Sequence, residues 1–478
     1  MNQNSKYSYL AKNTMLFTIS SFGSKILVFL LVPLYTSILS TTDYGIADTV
    51  TTTASLAIYV FTLNIQDAVL RFAIDRGNNP EQCLTFGLRV LCYGSIAFGA
   101  ILSGLSLLNP FGWGKHIYLF LFLQFFVVAL NYIFSYYLRA IDKVKEVAIS
   151  GIITTLVTII CNIILLLIVS LGINGYLISM VAGSLLSSVY CNIIIGRSPV
   201  SLLLSSVDKS IKRQMLVYSI PLIFNAVAWW MNNSIDKYFV IWMIGQAQNG
   251  LLAVSYKIPT IMTAFHTIFF QSWNLSAIKE FDPEDKDGFF SKTYTMYNSC
   301  LVLICSGLIV LNIPIASVLF AKDFFIAWNY SSVLLLSIVF SALAGFVGSV
   351  FTAVKNSKVF AISTVTTAVA NCFLNLIMIP VWGVMGAVIA TCISFWMIWA
   401  IRLICSRKYI KWRIQLGRDI AAYCLLIIQI CAEHSENHLY LLQVIIFGFL
   451  IFLYRAEFNK MITAIFLKLK QMLNRIQR

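Results

Sequence analysis

Two lysines lie inside long apolar segments of the sequence, where charged side chains are unusual. Lys25 is near the middle of the segment 14–39, and Lys257 is in the segment 251–277. An ammonium group at that depth in a membrane helix is costly unless water, a counter-ion or an anionic ligand meets it. For Lys25 the sequence predicts contact with a bound anion, such as a phosphate group, or else a buried ion pair. For Lys257, a structural pair with Asp236 and contact with an anion are equally good interpretations.

Polar side chains recur at intervals of three or four residues in several of these segments, which places each set on one helix face. One row lies in the segment 46–70, a second accompanies Lys25, and a third lies in the segment 216–243. Their members are Asp48, Thr52, Ser55, Tyr59, Thr62 and Gln66; Thr14, Thr18 and Ser21; and Asn225, Trp229, Asn232 and Asp236. Lipid cannot hydrogen-bond such a face, so each row belongs against other helices or a water-filled cavity.

We therefore expect a central cavity lined by a small set of polar and charged side chains. His266 has two interpretations, as a hydrogen-bonded histidine of the core and as a proton switch. Trp229 and Trp230 fit packing better than a stacking platform for a sugar. The candidate cavity residues are Lys25, Lys257, Asp48, Asp236, Asn232, Gln66, Gln271 and His266.

The composition indicates a membrane protein made of helices. Of the 478 residues, 59% are hydrophobic and 11% are charged, and the mean hydropathy is +0.84. Soluble domains carry about 25% charged residues, and a helix needs about 20 apolar residues to cross a bilayer. About 14 segments satisfy this length, so we predict an all-α polytopic membrane protein. Their approximate ranges are 14–39, 46–70, 84–108, 116–138, 147–170, 176–196, 216–243, 251–277, 294–319, 329–352, 359–380, 384–404, 416–432 and 439–455.

The distribution of basic residues accounts for the net charge of +15. Most of the 34 lysines and arginines fall in alternate connections and in both tails, whereas Lys115 and Lys322 fall on the opposite side. Cytoplasmic connections of membrane proteins carry such an excess, so we expect both termini in the cytoplasm. The charge therefore gives no reason to expect a nucleic-acid partner.

Parts of the sequence recur at fixed shifts. A shift of 205 positions places Gly45 on Gly250 and Gln66 on Gln271, and a shift of 211 places the motif 171–175 on 382–386. The copies follow the same order and direction, which is typical of a parallel repeat of six helices. The glycines of the motif 171–175 and of its copy 382–386 predict tight outer turns with positive φ and close helix approach.

The repeat predicts two lobes and two additional helices. The N-terminal lobe would cover residues 1–205, the C-terminal lobe 206–410 and the additional helices 411–455. Residues 456–478 place apolar positions on one helical face and basic positions elsewhere. Such a tail suits a helix lying on the anionic lipids of the cytoplasmic leaflet, although a frayed basic tail is the alternative.

The sequence carries no signature of a catalytic or metal centre. Its 11 cysteines lie in or next to apolar segments without CxxC spacing, so we expect neither disulfides nor a zinc site. The stretch from Glu433 to His438 holds possible metal ligands, but it fits a polar outer turn better. Walker A and HExxH patterns are missing from the sequence. We therefore expect a protein that is not an enzyme and that uses no cofactor.

Three motifs carry a resemblance to a known family. They are Pro33-Leu34-Tyr35, Asp43-Tyr44-Gly45-Ile46-Ala47 and Asn371-Cys372-Phe373-Leu374-Asn375, the last followed by Pro380, Gly383 and Gly386. The first precedes the predicted turn 40–45 between the first two helices, and the second overlaps the end of that turn. In order and spacing, the motifs resemble the O-antigen and capsule-unit flippases of the multidrug/oligosaccharidyl-lipid/polysaccharide (MOP) exporter superfamily.

The resemblance implies a MATE-like fold that works by alternating access. The implied cargo is an oligosaccharide on a polyprenyl diphosphate, flipped from the inner to the outer leaflet of the bacterial plasma membrane for O-antigen or capsule synthesis, with a proton or sodium as a coupling ion. Family members carry cavity cations on their first, second and eighth helices; Lys25 and Lys257 stand at two of these places, whereas the second helix offers Asp48 and Asp67. The alternative is a cation-coupled multidrug antiporter of the same fold.

The predicted topology can be tested with single cysteines introduced into a cysteine-free variant. A cysteine at Asn437 should react with a membrane-impermeant maleimide in intact cells, because its connection would face outward. A cysteine at Ser206 should react only after the membrane is opened, since its connection would be cytoplasmic. Labelling of both positions from the same side would contradict the topology.

Overall fold

The structure is a computed structural model that describes residues 29–75, 77–354, 356–459 and 463. Every regular element in these ranges is a helix. Within them, nine helices are long and apolar enough to cross a membrane, or ten if one bent pair forms a single span. The structure confirms the predicted all-α polytopic class, and its helices are consistent with about 14 spans.

The chain divides into two compact units. The first extends to Lys237 and also includes Gly245–Gly250. Its helices are α1 (Val32–Ile38), α2 (Thr41–Phe61), α3 (Ile65–Ala73), α4 (Pro80–Leu108), α5 (Lys115–Ala140), α6 (Val144–Asn162), α7 (Gly172–Ile195), α8 (Pro199–Leu204) and α9 (Lys209–Ile244). A π-helical segment, Ile163–Ile168, continues α6.

The second unit contains Tyr238–Ile244, which ends α9, and the chain from Leu251 onward. The remaining helices are α10 (Gln246–Ser255), α11 (Thr260–Lys279), α12 (Phe289–Val310), α13 (Asn312–Leu319), α14 (Trp328–Ala353), α15 (Ser357–Trp382), α16 (Val384–Ser406), α17 (Leu416–Glu433) and α18 (Tyr440–Leu453). The division falls inside α9, whereas the repeat places the lobe boundary between residues 205 and 206. The lobe limits therefore stay a prediction.

Burial separates core helices from helices with exposed faces. In the span Lys322–Ala353, which contains α14, 78% of the apolar stretch is buried, against 11% in α9. α14 is therefore a core helix of the second unit, whereas most side chains of α9 are partly buried or exposed. The core of the first unit gathers buried residues from α2, α3, α4, α5 and α7, among them Val50, Val69, Leu84, Phe125 and Cys191.

A capping box fixes the start of α2. The Ser40 hydroxyl accepts a hydrogen bond from the backbone N–H of Asp43 at 3.1 Å, and the Asp43 carboxylate accepts one from the backbone N–H of Ser40 at 3.3 Å. Each bond satisfies an N–H group that the first helical turn leaves unpaired. α2 therefore begins at Thr41, and the longer turn predicted over residues 40–45 is wrong.

The segment 46–70, predicted as one helix, bends by 56° between α2 and α3. Leu63 and Asn64 adopt positive φ angles of 53° and 50°, a region that few residues other than glycine occupy. The Asn64 amide donates a hydrogen bond to the Asp67 carboxylate at 2.5 Å, and the Gln66 amide donates one to the Asn64 side-chain oxygen at 2.6 Å. These local bonds support the bend, which hydrophobic periodicity does not encode.

The segment 251–277 is also interrupted, at a position that does not correspond to the bend in the segment 46–70. Residues 256–259 form a turn between α10 and α11, where Pro259 lacks the N–H that a continuous helix would use. With the shift of 205, the bend at Asn64 would correspond to Phe269, which lies inside α11. The two copies of this helix therefore bend at different positions.

The two turns predicted from the repeat each contain a glycine with positive φ. Gly172 and Gly383, which correspond at the shift of 211, have φ angles of 55° and 57°. A Cβ on Gly386 would lie 2.2 Å from the carbonyl oxygen of Met378, and a Cβ on Gly175 would lie 3.1 Å from that of Leu165. The predicted positive φ and close helix approach are both confirmed.

Replacing Gly386 by alanine should destabilise the protein, because the added methyl group would overlap the preceding helix. Overpacking costs about 1–3 kcal/mol, more than the gain of about 1 kcal/mol that alanine brings to a helix interior. Gly104→Ala is the matched control, since no described atom lies within 4 Å of its Cβ position. In detergent, the apparent melting temperature should fall for Gly386→Ala and stay equal or rise for Gly104→Ala. Equal values would contradict the close approach.

Candidate functional site

A largely buried ion pair joins α2 to α9 in the first unit. The Lys237 ammonium lies 2.9 Å from Oδ1 of Asp48, and the two side chains are 15% and 17% exposed. Among the described residues, Oδ2 of Asp48 has no hydrogen-bond partner although it is buried. The sequence identified Asp48 as a cavity residue but missed Lys237 as its partner. A helical row predicts which face of α2 is polar, and it does not say which residue of a distant helix meets that face.

The ends of α2 and α10 touch through two glycines. A Cβ on Gly45 would lie 2.0 Å from the carbonyl oxygen of Gln246, and a Cβ on Gly250 would lie 1.9 Å from that of Thr41. The shift of 205 relates both Gly45 to Gly250 and Thr41 to Gln246, so the contact is reciprocal. Any side chain at either glycine would separate the two backbones. We call this arrangement the glycine contact.

Hydrogen bonds surround the glycine contact. The Asn249 amide donates to the Gly45 carbonyl oxygen at 3.1 Å, and the Thr49 hydroxyl lies 3.1 Å from Oε1 of Gln246. Asn249 is fully buried, and Thr49 is 4% exposed. The contact thus combines close backbone packing with polar groups that find their partners across it.

A second link between α2 and α9 lies further along α2. The indole N–H of Trp230 lies 3.1 Å from both the Thr52 carbonyl oxygen and the Ser55 hydroxyl oxygen. Its neighbour Trp229 is 50% exposed. The polar row of α2 therefore faces α9 at Asp48, Thr52 and Ser55, as a row facing another helix should.

The other candidates of the first unit bond locally. Asp236 is 3% exposed, and its Oδ1 accepts the backbone N–H of Lys237 at 3.0 Å. The Asn232 amide donates to the Ala228 carbonyl oxygen at 3.0 Å. Gln66 is 3% exposed and contributes to the bend between α2 and α3. Their predicted role in a cavity stays a prediction.

The candidates of the second unit lie on or beside α11. Lys257 is half-buried in the turn that separates α10 from α11. Nδ1 of His266 lies 2.6 Å from the Tyr297 hydroxyl, so this histidine has a hydrogen-bond partner in the core. Lys25 lies outside the described residues, and so does the side chain of Gln271.

Sequence reasoning missed one buried cation of α16, because an arginine near the end of a helix usually extends toward water. Arg402 is 4% exposed and donates to the Ser363 hydroxyl at 3.1 Å, the Thr364 hydroxyl at 2.9 Å and the Ala344 carbonyl at 3.0 Å. Its guanidinium also stacks 3.9 Å from the ring centre of Phe360. None of the ion pairs in the described ranges includes Arg402, so its partners are neutral and its contacts are those of a helix-packing residue.

The fold and its polar interior define a class of membrane transporter. The structure titled "Lipid II flippase MurJ, inward closed conformation" has a TM-score of 0.66 to this chain at 15% identity, over 94% of this chain and 100% of that chain. An inward-facing multidrug resistance MATE family transporter of the MOP superfamily has a TM-score of 0.59 at 12% identity, over 83% and 98%. An outward-facing structure of a transporter with the same description has a TM-score of 0.58 at 11% identity, over 86% and 95%. The chain therefore has the MOP transporter fold.

The sequence identifies the family within this class. The profile of the family described as "Polysaccharide biosynthesis protein" matches residues 10–274, more than half of the 478 residues, and the chain belongs to that family. No curated protein matches the chain. These findings confirm the resemblance to polysaccharide transporters of the MOP superfamily.

Breaking the Asp48–Lys237 pair should destabilise the protein. Removing one partner of a fully buried pair costs 3–5 kcal/mol; for this slightly exposed pair we expect about 1–3 kcal/mol, because the remaining charge keeps limited access to water. Asp48→Asn and Lys237→Gln should each lower the apparent melting temperature, and the double variant should recover part of the loss.

The exposed pair Lys411–Glu284 supplies a matched control for this test. Its oxygen and nitrogen atoms are 2.6 Å apart, but its side chains are 69% and 49% exposed. Lys411→Gln should change the melting temperature little, since exposed pairs contribute about 0–1 kcal/mol. If Asp48→Asn left the melting temperature as little changed as Lys411→Gln does, the Asp48–Lys237 pair would not stabilise the fold.

Proposed function

We propose that the protein is a flippase for oligosaccharide units carried on a polyprenyl diphosphate. It moves the unit from the inner to the outer leaflet of the bacterial plasma membrane by alternating access, for a surface polysaccharide such as O-antigen or capsule. The observation that carries the proposal is membership of the polysaccharide biosynthesis protein family on a chain that shares its fold with a lipid II flippase. The partners are then the lipid-linked oligosaccharide and a coupling ion, proton or sodium.

The proposed role of the lysines follows from the charge of the diphosphate. Lys25 lies in an apolar segment whose row mates are polar, so an anionic headgroup is a suitable partner for it in the membrane. Lys257 is a second candidate cation. Because the cytoplasm is electrically negative, an anion moving outward gains about 2.3 kcal/mol per net charge per 100 mV. A co-bound cation reduces that gain.

Alternating access requires contacts that can form and break. Under the predicted topology, the glycine contact and the Asp48–Lys237 pair lie toward the outer end of the helices. An opening on that side would separate α2 from its neighbours there. Water entering the opening would lower the cost of separation, because a solvated ion pair contributes only about 0–1 kcal/mol and water replaces the lost hydrogen bonds.

The orientation belongs to the same proposal. Both termini are cytoplasmic, as the excess of basic residues in alternate connections supports. The repeat-based lobes 1–205 and 206–410, with the additional helices 411–455, are the bodies that would move. The basic tail 456–478 lies largely outside the described residues and is proposed to rest on anionic lipids.

A cation-coupled multidrug antiporter is the second candidate function. It is favoured by the fold shared with MATE transporters and by the buried carboxylate of Asp236, since carboxylates at membrane depth serve as proton or sodium sites. Transport of cationic dyes by the purified protein, without flipping of lipid-linked sugars, would favour this candidate over the flippase.

Lys25→Ala should abolish flipping in proteoliposomes that contain fluorescent polyprenyl-diphosphate-linked oligosaccharides, because the cargo anion would lose its cation. Lys25→Arg should keep part of the activity, since the charge remains. Lys257→Ala should weaken flipping less, because Asp236 offers that ammonium a structural partner. The measurement is the fraction of cargo that becomes accessible to an enzyme or quencher on the opposite side.

Expression level and melting temperature show whether each variant folds. Lys411→Ala removes an exposed lysine and should leave flipping unchanged. Wild-type flipping by a folded Lys25→Ala protein would contradict the cargo role of Lys25. Failure of the wild type to flip any of a panel of lipid-linked sugars would count against the proposed function itself.

A further inference from the structure

The turn between α17 and α18 holds a buried carboxylate outside the helices that repeat. Glu433, the last residue of α17, is fully buried. Its Oε1 accepts a hydrogen bond from Nδ2 of Asn312 at 2.8 Å, and the same nitrogen donates to the Trp328 carbonyl oxygen at 2.9 Å. Asn312 begins α13 and Trp328 begins α14, so three helices meet at this carboxylate.

The remaining oxygens of these two groups lack partners. In the described part of the chain, neither Oε2 of Glu433 nor Oδ1 of Asn312 has a hydrogen bond, although both side chains are fully buried. The Glu433 carboxylate and the Asn312 amide are hydrogen-bonded to each other through Oε1 and Nδ2. The two unpaired oxygens, Oε2 and Oδ1, therefore belong to adjacent groups. Ser332, one helical turn after Trp328, is likewise buried; its hydroxyl interacts with the Glu433 carboxylate but makes no hydrogen bond of normal geometry within the same ranges. Such atoms are rare in folded proteins and point to an ion, a water molecule or a ligand.

A neighbouring side chain on α17 shows what complete pairing looks like in this helix. Oε1 of Gln429 accepts from the Ser306 hydroxyl at 2.7 Å, and its Nε2 lies 3.2 Å from both the Ser306 and the Gln443 carbonyl oxygens. Both ends of that amide are satisfied. Oδ2 of Asp419 on the same helix is also buried and unpaired, whereas the unpaired oxygens at Glu433 and Asn312 belong to two hydrogen-bonded groups on different helices.

The charge of Glu433 also calls for a partner. None of the ion pairs found in the described ranges includes it, and a buried carboxylate without compensation is costly. The adjacent His434 directs Nδ1 toward the Ile430 carbonyl oxygen at 2.9 Å and Nε2 toward that of Asn329 at 2.8 Å. His438 directs Nδ1 toward the Glu433 carbonyl oxygen at 2.8 Å. A neutral imidazole donates from only one ring nitrogen, so only one of the two His434 contacts is a hydrogen bond when that side chain is neutral. None of the three nitrogens is bonded to the unpaired oxygens.

We propose that Glu433, Asn312 and Ser332 form a binding site for a small monovalent cation of the sodium class. Carboxylate, amide and hydroxyl oxygens are the ligands that hard cations prefer. A proton on Oε2 of Glu433 would pair that oxygen with the Asn312 oxygen, whereas a cation would also use the Ser332 oxygen as a ligand, and the tests below separate the two. A single carboxylate balances the charge of a monovalent ion, not that of a divalent one. The bound ion ties α17 to α13 and α14, independently of the cargo that the transporter carries.

The first test uses the purified full-length protein in detergent at pH 8, where most histidines are neutral. Sodium chloride, compared with choline chloride at equal ionic strength, should raise the melting temperature, and ²²Na⁺ should bind saturably. Glu433→Gln should lose the rise in melting temperature and one equivalent of bound ²²Na⁺. Glu436→Gln, which alters an exposed carboxylate three residues away, should lose neither. A full sodium response in Glu433→Gln would overturn the proposal.

A second test needs no substitution, so it holds even if Glu433→Gln fails to fold. Dicyclohexylcarbodiimide modifies protonated carboxyl groups in apolar surroundings, and mass spectrometry measures its addition to Glu433. At a sodium concentration ten times the Kd, about one tenth of the sites stay open, so labelling should slow about tenfold in sodium and remain fast in choline. Labelling that sodium does not change would overturn the proposal and indicate a protonated or water-bonded carboxyl.

Discussion

Hydrocarbon offers no hydrogen-bond partner, so a polar group at membrane depth has to find its partner inside the protein. Several polar side chains of the described helices follow this constraint. In the first unit, the Asp48 carboxylate meets Lys237, and the Trp230 indole meets α2. In the second, the Arg402 guanidinium is surrounded by hydroxyls and a carbonyl. The polar rows are costly to expose and specific in their partners, so they help to determine which helices are neighbours.

The α17–α18 hairpin illustrates how this constraint guides assembly. Toward one end of α17, the Tyr423 hydroxyl donates to Asn298 of α12 at 2.8 Å, and Tyr454 donates to Asp419 at 2.9 Å. Further along, Gln429 bonds Ser306, also of α12. Interhelical bonds of this kind are worth about 0.6 kcal/mol each in a membrane protein. Several such hydrogen bonds along one face fix the rotation and register of a helix. Apolar contacts alone would leave that helix free to turn about its axis.

The sequence was informative where a single residue type decides the local structure. Glycine is the residue that adopts the φ of Gly172 and Gly383 at least cost, and a Cβ at Gly386 would meet the carbonyl oxygen of Met378, so a repeated motif was enough to predict both turns. Hydrophobic length likewise predicted the spanning helices, though not that Asn64 and Pro259 would interrupt two of them.

Partnerships across the fold were harder to predict. The spacing of Asp48 showed that its face of α2 is polar, but the partner, Lys237, lies 189 positions away, and no local pattern connects the two. The buried position of the Arg402 guanidinium was not predicted, because arginines near helix ends usually extend toward water. Here the small residue Gly348 and the Phe360 ring lie close beside it, and that space exists only after three helices have packed.

The glycine contact has a consequence for how a closed state behaves. Because Gly45 and Gly250 bring backbone against backbone, the contact rests on close packing and hydrogen bonds rather than on interlocked large side chains. Such a contact closes in one register, and its separation does not require large side chains to withdraw from one another. Under the proposed alternating access, these properties suit a contact that separates and re-forms during transport.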